Sequence, residues 1–132
     1  MSATRASLAT LPADAAHTLI ADLRNIVGEK HTLTDDDATR RYRTGFRFGS
    51  GKALAVVRPG TIVEQWNVLQ ACIAANVIVI TQASNTGLTG GSTPDGSDYD
   101  RDIVIVSTSR MKKVYVINDG KQVVCLPGAT LD

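Results

Sequence analysis

The stretch "ITQASNTGLTGGSTPDGSDYDRDIVI", residues 80–105, joins two apolar segments through a long polar one. Its middle carries Gly87, Gly90 and Gly91 among serine, asparagine and threonine residues. Glycine permits positive φ and a close approach of a ligand to the backbone, and successive N–H groups in such a loop form a concave anion site. No lysine or arginine lies between residues 80 and 100, so backbone and hydroxyl dipoles would have to hold the anion.

Two interpretations of this loop remain open on composition alone: a phosphate-binding loop, and a solvated hairpin loop. It is not a Walker loop, because no Gly-Lys-Ser/Thr follows the glycines. It is not the Rossmann fingerprint, because the glycines are spaced G-x-x-G-G and the segment from Pro94 to Asp98 cannot open a long helix.

The residues before the loop predict a strand, a helix and a second strand. "ALAVV", residues 53–57, and "VIVIT", residues 77–81, are short apolar runs typical of buried strands. Between them Thr61 and Glu64 have capping-box spacing. One apolar helix stripe is expected behind that cap, formed by Ile62, Trp66, Leu69 and Ile73. The short connections indicate a βαβ unit with parallel strands, and ligands bind beyond the carboxyl ends of such strands.

The N-terminal part of the chain also has a helical pattern of apolar residues, and Gly28 is expected to end this helix. Residues 1–14 are expected to be disordered. The apolar face of the predicted helix comprises Ala16, Leu19, Ile20, Leu23, Ile26 and Val27. A short second helix is predicted in "LTDDDATRRY" with Thr34 as N-cap. After the loop, "DIVIVS", "KKVYVIN" and "KQVVCLPG" predict strands, the last two joined by a hairpin at "NDG".

Composition limits the function classes. The chain has 132 residues, which is enough for one domain at most. Its net charge of +1 gives the whole chain no excess positive charge that would attract nucleic acid or an anionic membrane. Neither a secretion signal nor a membrane-spanning run is found. Cys72 and Cys125 are expected to be buried reduced thiols. His17 and His31 are expected to be solvated residues near helix ends, since no metal-ligand spacing surrounds them.

The order of an apolar strand, "QASNTGLTGGSTP", an apolar strand, "SRMKKV" and "PGATL" resembles the p-cresol methylhydroxylase-type FAD-binding fold of the vanillyl-alcohol oxidase superfamily. "RYRTGFRFGSGKALAVVRPG" and "NTGLTGGSTPDGSDYDRDIVIVSTSRM" are similar to its quinone-dependent respiratory D-lactate dehydrogenase branch. The resemblance implies an α+β fold, namely the N-terminal subdomain of that domain with a βαβ unit and a mixed sheet. It also implies oxidation of D-lactate to pyruvate and electron transfer to a membrane quinone.

The resemblance places the FAD pyrophosphate in this loop. The matching positions are Ala83, Ser84, Asn85, Thr86, Gly87, Gly91 and Ser92. We expect noncovalent binding, because superfamily members that tether FAD from this loop use His or Cys, and neither occurs between Thr81 and Asp100. No catalytic residue or metal ligand is predicted, since no His/Asp pair has acid–base spacing.

A basic cluster of Arg40, Arg41, Arg43 and Arg47 leaves two interpretations. One arginine can reach a lactate carboxylate as a bidentate partner. Alternatively, the cations favour a helix C-terminus and face water. Tyr42, Phe46 and Phe48, which alternate with these charges, are expected to pack against the sheet.

Members of the branch are several times longer than this chain, so we expect residues 1–132 to be the N-terminal portion of an FAD-binding domain, inactive alone and prone to self-association. The rest of that domain, the substrate domain and the surface that holds the enzyme on the inner face of the cytoplasmic membrane would lie outside it. Two alternatives are kept: another FAD-linked 2-hydroxy-acid dehydrogenase, similar to glycolate oxidase, and a non-enzymatic nucleotide-binding module.

Overall fold

The computed structural model describes residues 10–131. In chain order its elements are α1 (Ala13–Val27), a 3-10 turn (Glu29–His31), β1 (Thr32–Leu33), α2 (Asp36–Arg43), β2 (Ala55–Val57), α3 (Ile62–Ala74), β3 (Ile78–Gln82), β4 (Ile103–Ser107), β5 (Val114–Ile117) and β6 (Gln122–Cys125). None of the helices in this range is long and apolar enough to cross a membrane.

Four strands form a mixed sheet in the order β1-β2-β4-β3. β1 is antiparallel to β2, whereas β2 and β3 each run parallel to β4. The predicted parallel strands and mixed sheet are therefore confirmed, with β4 inserted between β2 and β3. β2 and β4 are fully buried, but β3 is only partly buried, because it lies at the sheet edge. The prediction of a second fully buried strand was wrong for that reason.

Strand residues alternate between two cores. On one face α1 and α3 pack over Ala55, Val57, Val104 and Val106. On the other, Tyr42 from α2 packs with Val56, Ile103 and Ile105. The α1 face is confirmed, with Leu19, Leu23 and Val27 buried and Ile26 packed against them. Gly28 ends α1 with φ 91° and ψ 154°, a positive φ with an extended ψ in place of a left-handed cap.

The helix α3 and its N-terminal cap are confirmed, and its predicted apolar stripe lies on the side away from the core. Thr61 Oγ1 accepts from the Glu64 N–H at 3.1 Å, and Glu64 Oε2 accepts from the Gly60 N–H at 2.6 Å. Val68 and Cys72 face the core, whereas the stripe residues Ile62, Trp66 and Ile73 are 63%, 61% and 68% exposed. The helix is apolar on several sides, so its periodicity alone did not identify the side that packs.

The start of the chain and the N-cap of α2 differ from the predictions. The predicted disorder of residues 1–14 lies largely outside the described range. Within it, the Leu11 N–H donates to Asp102 Oδ2 at 2.8 Å, and Ala13 and Asp14 are already helical. The N-cap of α2 is Asp35 and not Thr34, because the Asp35 carbonyl accepts from the Thr39 N–H at 3.0 Å.

β5 and β6 pair as the predicted antiparallel hairpin, with Asn118 and Asp119 both at φ 52° in the turn. All residues of both strands are exposed, so Cys125 is exposed while Cys72 is buried. The prediction of two buried thiols therefore holds only for Cys72.

His31 is partly buried, and Arg58 Nη2 lies 3.2 Å from its Nδ1. Burial, and then the positive charges of Arg110, Arg58 and Lys30, lower the pKa of His31.

Candidate functional site

The Gly-rich loop, residues 83–92, begins at the carboxyl end of β3, where Gln82 pairs with Ser107 at the end of β4. The parallel strands β2, β4 and β3 all end at this edge of the sheet. This is the position at which α/β sheets leave a crevice for ligands. The loop is therefore placed for binding by the topology as well as by its composition.

All seven residues predicted from the sequence line one cavity of about 290 Å³. They are Ala83, Ser84, Asn85, Thr86, Gly87, Gly91 and Ser92, joined there by Thr89. The structure thus brings residues 83–87, the first limb of the loop, together with residues 91–92, its second limb, around one space. Their contact with a ligand remains a prediction.

The backbone of this loop offers donors without acceptors. From Ser84 to Gly91, no N–H group donates a hydrogen bond to another residue of the described chain. No acidic side chain lines the cavity. Six residues of this run line the cavity: Ser84, Asn85, Thr86, Gly87, Thr89 and Gly91. Free backbone N–H groups beside a cavity can stabilise an anion through their dipoles. The donor set therefore fits a phosphate or pyrophosphate group.

Gly87 and Gly91 have open space at the position of a Cβ atom. A Cβ atom at Gly87 would have no atom within 4 Å, and one at Gly91 would have only Thr89 Oγ1, at 3.8 Å. By contrast, Gly90 has φ +74°, and a Cβ there would lie 3.3 Å from the Phe48 carbonyl oxygen. Gly90 therefore serves the fold, whereas Gly87 and Gly91 keep the cavity open.

Three polar side chains hold the loop in shape. Buried Gln82 donates from Nε2 to the carbonyl oxygens of Tyr42 at 2.8 Å and Ser92 at 2.7 Å. Asn85, at φ 56°, donates from Nδ2 to the Thr44 carbonyl at 2.8 Å, and its Oδ1 accepts from Ser92 Oγ at 2.8 Å. The Asn85 amide and the Ser92 hydroxyl thus position the loop, while the Ser84 and Thr86 hydroxyls have no hydrogen-bond partner among residues 10–131.

A second cavity, of about 410 Å³, adjoins the first and shares Ala83, Ser84, Asn85 and Thr86 with it. The other residues that line it are Arg41, Tyr42, Thr44, Phe46, Gln82, Ser107 and Ser109. Ser107 and Ser109 were missed by the sequence reasoning. The position of both serines at the end of a parallel strand, in "IVIVSTS", was the signal that could have identified them.

The predicted basic cluster divides in the structure. Arg40 is paired with Asp36 and Asp37, and Arg43 with Asp36. These two arginines match the interpretation of cations near a helix C-terminus. Arg41 lines the cavity described above, Arg43 lines a separate cavity of about 190 Å³ beside Lys52, and Arg47 stacks on Phe48 at 5.2 Å from the ring centroid.

Among the three aromatic residues of this region, the prediction of packing against the sheet is confirmed for one. Tyr42 is 5% exposed and lies in the core. Phe46 and Phe48 are 74% and 56% exposed. They lie in the turn closed by the Gly45 N–H on the Gly49 carbonyl at 2.8 Å, outside the layer that packs on the strands.

Comparisons with known proteins agree with this geometry. No family model matches the chain. It is 57% identical over 114 residues to a quinone-dependent D-lactate dehydrogenase of Haemophilus influenzae, covering 86% of this chain and 20% of that protein. The Escherichia coli protein of the same name is 56% identical over 110 residues, which are 83% of this chain and 19% of that protein. The chain thus spans about a fifth of the length of these relatives.

Solved structures show the same architecture. p-Cresol methylhydroxylase with substrate bound superposes with a TM-score of 0.71 and 16% identity, over 91% of this chain and 24% of that one. 4-Ethylphenol oxidase from Gulosibacter chungangensis gives 0.74 and 21%, over 90% and 23%. The predicted p-cresol methylhydroxylase-type FAD-binding fold is confirmed by these matches. The chain is thus similar over most of its length to quinone-dependent D-lactate dehydrogenases, and it shares the fold of p-cresol methylhydroxylase.

Proposed function

We propose that this chain is the N-terminal part of the FAD-binding domain of a quinone-dependent D-lactate dehydrogenase, and that its Gly-rich loop holds the FAD pyrophosphate. The observation that carries the proposal is a cavity without acidic side chains, lined by loop residues whose N–H groups have no partner among the described residues, namely Ser84, Asn85, Thr86, Gly87, Thr89 and Gly91. The identity of 57% to a relative with that name supports the reaction class.

Within this assignment, the role of the chain is to bind and orient. The N–H groups of the loop would donate to the phosphate oxygens, and the Ser84 and Thr86 hydroxyls would add short donors from the same wall. Gln82 and Asn85 keep those donors in place before the ligand arrives, which lowers the cost of ordering the loop on binding. When bound, the flavin would supply the two-electron redox chemistry that links oxidation of D-lactate to pyruvate with reduction of a quinone.

We propose that the flavin is bound noncovalently. Neither cavity is lined by a histidine or a cysteine, the residue types that tether the cofactor in related folds. Acid precipitation of the flavin-loaded protein should release free FAD into the supernatant. Yellow colour that remains in the pellet and maps to a peptide from residues 81–100 would contradict noncovalent binding.

The remaining parts of the proposal concern the longer protein. D-Lactate, the membrane quinone and peripheral attachment to the inner face of the cytoplasmic membrane would involve segments beyond this chain. Catalytic groups are expected there too, and the 132-residue chain alone is expected not to oxidise D-lactate. These expectations follow from the share of the relatives that the chain spans, 20% of the Haemophilus influenzae protein.

Two measurements test the function. Titration of the purified protein with FAD, followed by quenching of flavin fluorescence, should show saturable binding, whereas a chain that leaves the fluorescence unchanged contradicts the cofactor. The longest gene product that contains this segment should reduce an artificial acceptor with D-lactate at a higher kcat/KM than with glycolate. Binding of FAD without turnover of any 2-hydroxy acid would favour a non-enzymatic nucleotide-binding module.

A second candidate function is supported by a separate sequence similarity. The mitochondrial D-2-hydroxyglutarate dehydrogenase of Bos taurus is 39% identical over 85 residues, covering 64% of this chain and 14% of that protein. D-2-Hydroxyglutarate therefore belongs in the same assay. A kcat/KM for D-2-hydroxyglutarate above that for D-lactate would favour this second function.

A further inference from the structure

Arg41 is an unpaired cation at the edge of the loop. It is exposed and lines the 410 Å³ cavity together with Ala83, Ser84, Asn85 and Thr86. Within residues 10–131 it forms no ion pair, whereas its neighbours Arg40 and Arg43 are neutralised by acidic residues of α2. Arg47 also has no ion pair among the described residues, but it stacks on Phe48 and does not line this cavity. Arg41 is thus the arginine of the cluster that brings an uncompensated charge to this cavity.

The Arg41 guanidinium is held in position by Tyr42. Its Nη2 donates to the Tyr42 hydroxyl at 2.9 Å, and its Cζ lies 4.7 Å from the centroid of the Tyr42 ring. Tyr42 is anchored in turn, since it is 5% exposed and packs with Val56, Ile103 and Ile105. A guanidinium that stacks on a buried ring loses less conformational freedom when a ligand binds.

The backbone at Arg41 is connected to the loop itself. Asn85 Nδ2 lies 3.4 Å from the Arg41 carbonyl oxygen and 2.8 Å from that of Thr44. The end of α2 and the first limb of the loop therefore keep a fixed relation. The cation from α2 and the N–H groups of the loop border adjoining cavities that share one wall.

We propose that Arg41 is the cation that pairs with the FAD pyrophosphate, an inference that rests on the proposed function. The loop offers only neutral dipoles, and a pyrophosphate carries more than one negative charge. A guanidinium hydrogen-bonded to a phosphate oxygen is a charge-assisted contact, about twice as strong as a neutral one. The alternative anion is the carboxylate of the substrate. Arg41 lines the same cavity as loop residues 83–86, whose N–H groups are proposed to bind the phosphate, and this position favours the phosphate over the carboxylate.

The experiment compares FAD binding to the apo form of the purified protein and of three variants: Arg41→Gln, Arg41→Lys and the matched control Arg40→Gln. Arg40 lies one residue away, and its replacement removes the same charge outside both cavities. Dissociation constants are measured from flavin fluorescence at low and high sodium chloride. Thermal unfolding of each apo variant shows whether the fold is retained.

Arg41→Gln should weaken FAD binding by about tenfold or more, the range expected for loss of a hydrogen bond to a charged group. It should also reduce the salt dependence of binding, because a charged contact is screened and a neutral one is not. Arg41→Lys should recover part of the affinity, and Arg40→Gln should bind like the unchanged protein.

Other outcomes separate the two proposals. No FAD binding by the unchanged protein contradicts the proposed function itself. Equal affinities for Arg41→Gln and Arg40→Gln, with FAD binding intact, overturn the role of Arg41 alone. An Arg41→Gln variant of the active enzyme that keeps its FAD affinity but has a raised KM for D-lactate assigns Arg41 to the substrate carboxylate, which also overturns it.

Discussion

The side chain of Asn85 joins the two limbs of the Gly-rich loop to the end of α2: its Nδ2 donates to the Thr44 carbonyl at 2.8 Å while its Oδ1 accepts from Ser92 Oγ at 2.8 Å. Asn85 also has φ 56°, a left-handed conformation that asparagine tolerates better than most residues. One residue thus sets the shape of the loop through both its backbone and its amide.

Asn85→Gly should loosen the loop before any ligand binds. Glycine keeps the backbone freedom that φ 56° requires, so the variant isolates the loss of the amide. Two hydrogen bonds are lost, for a cost on the order of 1–2 kcal/mol. Hydrogen–deuterium exchange of a peptide covering residues 83–92 should become faster, with little change in β4. Exchange in this peptide equal to that of the unchanged protein would show that the Asn85 amide does not order the loop.

Gly90 and Gly91 should separate stability from ligand binding. Gly91→Val puts a side chain into open space, so the melting temperature should hold while FAD affinity falls by on the order of tenfold, about 1.4 kcal/mol. Gly90→Val forces a β-branched residue to φ +74° and should cost about 1–2 kcal/mol of folding free energy. Calorimetry and FAD titration check the pair. A Gly91→Val protein that binds FAD normally would mean that the ligand does not approach the loop there.

The two cysteines should differ in reactivity. Burial raises the pKa of the Cys72 thiol from 9.0 to about 11, so it stays protonated and shielded in the folded protein at neutral pH, while Cys125 is exposed. A thiol reagent should label Cys125 first and Cys72 only on unfolding. Because the folded pKa of Cys72 is raised, its contribution to stability is complete below pH 9.0 and declines as the pH rises towards 11. Cys72→Ala should remove that alkaline component, and equal labelling rates for the two thiols would contradict the burial of Cys72.

The outward face of α3 should drive self-association of the isolated chain. Ile62, Val63, Trp66 and Ile73 are all more than 60% exposed, and exposed apolar patches of this kind favour contact with another protein surface. Trp66→Lys should shift the sedimentation velocity distribution towards monomer, while the control Asn25→Lys, which adds the same charge on exposed α1 surface, should not. A monomer at all concentrations before any substitution would count against the role of this face.

Local patterns were enough to predict the elements and the loop. A cap such as Thr61 with Glu64, a turn such as Asn118-Asp119-Gly120, and the glycines of residues 87–91 each depend on a few neighbouring residues. Their conformations follow from steric limits and from hydrogen bonds within the same segment. For that reason the sequence by itself determined where the helices, the strands β2 to β6 and the candidate anion loop lie, and that the loop follows a parallel strand, whereas the two-residue strand β1 was not predicted.

Only the tertiary structure decided which segments meet. The insertion of β4 between β2 and β3 depends on pairing between distant segments, which local periodicity does not encode. α3 is apolar on several sides, so packing against α1 selected Val68 and Cys72 for the core and left Trp66 outside. The position of Arg41 also depends on the tertiary structure. Four arginines lie close together in the sequence, but acidic residues pair with two of them, and Arg41 lines the cavity. Arg41 lies there because α2 ends beside the loop, to which the Asn85 side chain connects it.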